Sequence, residues 1–121
     1  MIQGIHKPGT LVWADAPTEV DPRTVEQFQS EHYAGLYRVL LLAYQRVTTG
    51  KGKERHATGE PFEAQPICKA LELFGEHAWD GQVVKKMLEA DRLSPEAGDA
   101  QLVDCINYLA ARIVVRQKGR P

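Results

Sequence analysis

Seven consecutive residues hold the densest phosphate-directed chemistry in the chain: Gly50-Lys51-Gly52-Lys53-Glu54-Arg55-His56. Lys51 and Lys53 offer point charges, Arg55 a planar fork matched to two phosphate oxygens, and His56 a group that donates or accepts near neutral pH. The two glycines let backbone N–H groups approach a ligand closely. This is not a P-loop, because the GxxxxGK[ST] pattern and the strand before it are both missing. A second reading is equally physical: a solvated basic turn just after a helix C-terminus, where cations relieve the negative end of the helix dipole.

The complementary chemistry lies further on. Between positions 76 and 104 stand seven acids, Glu76, Asp80, Glu89, Asp91, Glu96, Asp99 and Asp104, against Lys85, Lys86 and Arg92. Glu96 and Asp99 are three residues apart at the expected start of a helix, so their carboxylates can point the same way and share a hard cation such as Mg²⁺. Acids at a helix start also complement its dipole without any ligand. Asp104, Asn107 and Tyr108 form one polar seam at helical spacing. If buried, that seam needs hydrogen-bond partners from another helix or from a ligand. His32 reads as a core or interface histidine, and Trp79 as the packing residue of a turn rather than a base-stacking platform. Ser-His-Asp order, a GxSxG elbow and an HExxH motif are all missing, which gives nucleophilic catalysis little support.

These groups must be carried by helices. Asp21-Pro22 sets an N-cap followed by proline at the first helical position. From there Val25, Phe28, His32, Leu36, Val39, Leu40, Ala43 and Val47 recur at steps of three or four up to Thr48-Thr49-Gly50. Residues 50–63 show no apolar period, a length of irregular chain that is uncommon unless functional or disordered. Pro66 opens a short helix with Ile67, Ala70, Leu71 and Phe74 inward, ended by Gly75. Asp80 is the expected cap of another short helix, with Val83, Val84, Met87 and Leu88 inward. Ser94-Pro95-Glu96 then starts a long last helix with Leu102, Val103, Ile106, Leu109, Ala110, Ile113 and Val114 inward. The expected fold is all-α: two long and two short helices in a single domain over residues 21–118, preceded by an extended arm at residues 1–20.

Composition bounds the partners. Fifteen Lys+Arg against sixteen Asp+Glu give a net charge of −1, which argues against a nucleic-acid binder held by a broad cationic face. The longest apolar run, Val39 to Tyr44, is far short of the roughly 20 residues of a membrane span, and the expectation is a cytoplasmic protein with Cys68 and Cys105 as buried reduced thiols. The half of the first helix from Leu36 to Tyr44 is apolar nearly all round, which predicts either a central position or a homo-oligomer interface.

Residues 51–113 resemble the small all-α proteins of phage nucleotide metabolism, the MazG-like nucleoside-triphosphate pyrophosphohydrolases and the nucleotide-modification-associated proteins. The resembling pieces are the basic segment from Lys51 to His56, Pro61-Phe62-Glu63, and Glu96-Ala97-Gly98-Asp99 running into Asp104-Cys105-Ile106-Asn107-Tyr108. In MazG-like enzymes an ExxE pair and an ExxD pair hold Mg²⁺ on the substrate phosphates. Glu96 and Asp99 fit the second pair, whereas Glu60-Pro61-Phe62-Glu63 has the letters of the first but falls in an expected loop. The resemblance implies a nucleotide or nucleoside phosphate as ligand, with Lys51, Lys53, Arg55 and His56 on the substrate, Glu96 and Asp99 on Mg²⁺, and a pyrophosphohydrolase-like reaction. The alternative is a non-catalytic oligomeric binder or inhibitor that sequesters a nucleotide or grips a protein partner.

Overall fold

A computed structural model describes residues 23–24, 31–49 and 59–119. The expected arm at residues 1–20 and the segment with Lys51, Lys53, Arg55 and His56 lie outside the described residues. The fold is all-α: α1 (Ala34–Thr48), α2 (Pro66–Phe74), α3 (Asp80–Ala90) and α4 (Pro95–Lys118), with short 3₁₀ turns at Glu31–Tyr33 and Phe62–Ala64. Arg23 and Thr24 are also helical, directly after the Asp21-Pro22 start signal. No strand occurs among the described residues.

Local chemistry accounts for most boundaries. Ser94 caps α4 by accepting a hydrogen bond from the Ala97 N–H at 3.3 Å, with Pro95 in the first turn. Pro66 opens α2, and Gly75 ends it at φ +100°, a conformation that costs a residue with Cβ. Asp80 is not the cap of α3. Trp79 occupies that position, and the Asp80 carboxylate instead takes a 2.7 Å contact with His77 Nδ1.

The longest helix, α4, spans about 36 Å at 1.5 Å per residue and is the common surface against which α1, α2 and α3 all pack. The core forms where α2 crosses it: Ile67, Cys68 and Leu71 close on Tyr108 and Ala111, with Phe62, Trp79, Val83, Val114 and Val115 around them. Trp79 pins the turn between α2 and α3, its indole N–H donating to the Ile67 carbonyl at 2.8 Å and its ring lying 5.0 Å from that of Tyr108. Both cysteines are free and buried, and desolvation raises their thiol pKa values, so they stay protonated and inert.

The inward faces differ from the apolar count at several positions. The first long helix is interrupted: Tyr33 sits at φ −120°, ψ 16° with no side-chain cap, so the 3₁₀ turn and α1 meet at a break. On α1 only Ala43 is buried, while Leu36, Val39 and Leu40 are exposed, as is His32 in the 3₁₀ turn before it. On α3 the buried residue is Lys86, and Val84, Met87 and Leu88 face out. On α4, Leu102, Leu109 and Ile113 are exposed, and the buried set is Gly98, Val103, Cys105, Tyr108 and Ala111. The seam of α4 that faces α1 and α3 mixes buried Val103 and Cys105 with Asp104 and Asn107, and the polar pair draws Arg46 and Lys86 toward it.

Candidate functional site

Asp104 lies mid-way along α4, where an unpaired carboxylate would be costly to bury. It takes cations from two other helices. Arg46, in the last turn of α1, donates through Nε at 2.5 Å and Nη2 at 3.1 Å. Lys86 of α3, only 7% exposed, donates to Asp104 Oδ2, the oxygen that Arg46 Nη2 also reaches, at 3.2 Å and to Gln101 Oε1 at 2.9 Å. Burial alone would push the Asp104 carboxyl up. The hydrogen bonds and charges of Arg46 and Lys86 outweigh it and hold the carboxyl below the usual carboxylate range. One turn further along, Asn107 Nδ2 donates to the Ala43 carbonyl at 3.0 Å, which locks the register of α1 on α4. The polar seam therefore finds its partners within the protein, and Asp104 is not available as a metal ligand.

Beside this network lies an open cleft of about 480 Å³ between the end of α1 and the start of α4. Gln45, Arg46 and Thr49 form one wall, with Leu42 as an apolar patch. Glu96, Asp99 and Val103 form the other. Gly98 holds the second wall in place by a close approach, because a Cβ there would meet the Ala90 carbonyl oxygen at 2.5 Å. The last turn of α3 thus lies directly on the first turns of α4.

Glu96 and Asp99 both line this cleft. Among the described residues no group of three or more His, Cys, Asp and Glu side chains gathers to hold a metal. Arg46 and Lys86 were not singled out by the sequence reading. Their signal was present, since Lys86 falls at i+3 from Val83 and Arg46 at i+3 from Ala43, both on inward faces. The other charged cluster, at the far end of α4, is self-satisfied: Glu76 accepts from Arg112 at 2.9 Å and Arg116 at 3.1 Å, and the Arg112 bond leads in holding its carboxyl low. Among the described residues no helix is long and apolar enough to cross a membrane. No protein-family model, curated protein or solved structure matches this chain.

Proposed function

We propose that this chain binds a nucleoside phosphate, as its Mg²⁺ complex, in the cleft between α1 and α4. The observation that carries this reading is the meeting of Thr49 with Glu96 and Asp99 in one cleft. In the sequence, the cationic stretch with Lys51, Lys53, Arg55 and His56 continues directly from Thr49. The donor set suits Mg²⁺, which binds through one or two carboxylates and keeps waters or substrate oxygens for its remaining positions. Glu96 and Asp99 would hold it, and when bound it would neutralise charge on the phosphates. Two carboxylates favour binding over turnover, because Asp104, the further acid of this helix, is already committed to Arg46 and Lys86.

The test is a thermal-shift series with nucleoside mono-, di- and triphosphates, with and without Mg²⁺. A ligand at a hundred times its Kd should stabilise the fold by about 2.7 kcal/mol. Asp99→Ala should abolish the Mg²⁺-dependent part while leaving the unliganded melting temperature within a few degrees, since Asp99 is exposed. Release of pyrophosphate from a triphosphate would extend the reading to a pyrophosphohydrolase-like enzyme. Absence of any shift would end it.

A second reading, self-association, is favoured by a separate observation. Leu36, Leu40, Leu41, Leu42 and Tyr44 of α1 are all exposed, as are Leu102, Leu109 and Ile113 of α4. Apolar surface on this scale marks interaction faces in soluble chains, and a second copy of the same chain is the commonest partner. Light scattering after gel filtration should give a mass above one chain. Leu40→Glu should shift it to the monomer with its helical circular dichroism retained.

A further inference from the structure

We infer that Arg46 is the ligand-responsive arm of the cleft: an anionic phosphate entering beside it takes the guanidinium in exchange for Asp104, which Lys86 then neutralises alone. This deepens the nucleoside-phosphate reading and rests on it for the identity of the ligand, but the exchange itself needs only a phosphate anion.

The charges around Asp104 are the starting point. One carboxylate is shared by two cations, so the Arg46, Lys86 and Asp104 group carries a net charge of +1. Lys86 cannot leave. Its ammonium is almost fully enclosed, held by Gln101 Oε1 as well as by Asp104, and moving it would strand a buried charge. Arg46 is the more exposed of the two, with 29% of its side chain in solvent against 9% for Lys86, and it lines the cleft directly. The surplus positive charge of the network therefore resides on the residue that faces the open space.

Donor geometry points the same way. A guanidinium has five N–H donors, of which Asp104 engages Nε and one edge of Nη2, leaving Nη1 outside this pair. The fork that grips a carboxylate grips two phosphate oxygens equally well, so the exchange substitutes one bidentate contact for another. The cleft also needs a fixed cation in its own wall. Glu96 and Asp99 face it and repel a bare phosphate, and Arg46 is the cationic residue among the described ones lining it.

Calorimetric titration of the full chain with inorganic pyrophosphate, without metal, tests the exchange. Wild type should bind one equivalent per chain. Arg46→Lys, which keeps the charge and loses the fork, should weaken binding about tenfold or more. Lys86→Met leaves Asp104 with Arg46 as its only cation among the described residues, and should also weaken binding about tenfold although Lys86 does not line the cleft. The double variant Lys86→Met, Asp104→Asn frees Arg46 without stranding a buried charge, and should bind more tightly than wild type. A purely structural Arg46 predicts a loss in all three proteins, so the sign of the double variant decides, with circular dichroism confirming that each is folded. No pyrophosphate binding by wild type, wild-type affinity in Arg46→Lys, or a double variant that binds no more tightly than wild type overturns the inference. The nucleotide reading fails separately: Arg46-dependent pyrophosphate binding with no response to any nucleotide leaves the exchange standing without it. Nucleotide and pyrophosphate binding that ignore Arg46 would do the reverse.

Discussion

Asp104→Ala should lower the unfolding free energy by about 3 kcal/mol at neutral pH, the lower end of the usual range for removing one member of a buried ion pair, because Arg46 on the open side of the network is part-exposed. The cost arises from what is left behind more than from the lost attraction. Lys86, 7% exposed, would keep Gln101 but lose its only carboxylate among the described residues, and Arg46 would lose both of its hydrogen bonds to α4, leaving the Asn107 bond to the Ala43 carbonyl. The pH dependence follows from the direction of the Asp104 shift. Its carboxyl titrates lower in the folded chain than the ordinary value of about 3.9 expected when unfolded. A depressed carboxyl contributes stability that is fully present above the unfolded value and is lost as pH falls through the folded one. The deficit of Asp104→Ala against wild type should therefore be constant from about pH 5 to pH 7 and should shrink below about pH 4. Urea titrations across that range measure it. A deficit under about 1 kcal/mol, or one that persists undiminished in acid, would mean that the network does not bear on the fold in this way.

The same network explains how far the sequence could be read. Helix ends were legible because their signals are covalent and local. Ser94-Pro95 starts α4, Pro66 starts α2, Gly75 ends it, and Thr48-Thr49 ends α1. That Glu96 and Asp99 lie on one side of α4 was legible because it depends only on helical spacing. The facing of α3 was not, because counting apolar residues assigns every Lys to solvent. Lys86 turns inward only when Asp104 and Gln101, fifteen and more positions away, are there to receive it. Val84, Met87 and Leu88, expected inward, are exposed. Asp80 misled for a related reason. Its type suits an N-cap, but His77 three residues earlier competes for the carboxylate, and Trp79 is fixed at the cap position by its bond to the Ile67 carbonyl. Polar pairing overrode the simple preference at each of these positions, at long range for Lys86 and within one turn for Asp80, and a single sequence records the preference but not which partner wins.

Tyr108→Ala is the packing counterpart of Asp104→Ala and should cost about 3–5 kcal/mol, the range for truncating a large buried aromatic side chain. Tyr108 is 6% exposed and sits where α4 meets Ile67, Cys68 and Leu71 of α2, so little around it can close the void. Its ring also packs at 48° against that of Trp79, a tilted geometry that adds about 0.5–1.5 kcal/mol beyond the area buried. This coupling is separable. In a double-mutant cycle, Tyr108→Ala with Trp79→Leu should cost less than the two single changes together by about that amount. Trp79 reports locally if Trp13 is first changed to Phe, since the sequence has only these two tryptophans. Its emission in folded Tyr108→Ala should then move to longer wavelength as water reaches the indole. Against a total stability of about 5–15 kcal/mol for a domain of ordinary stability, the loss leaves a marginal fold. If the void collapses instead, the cost should fall below about 2 kcal/mol with no change in emission, and the α2 corner would then be a softer part of the core than its burial implies.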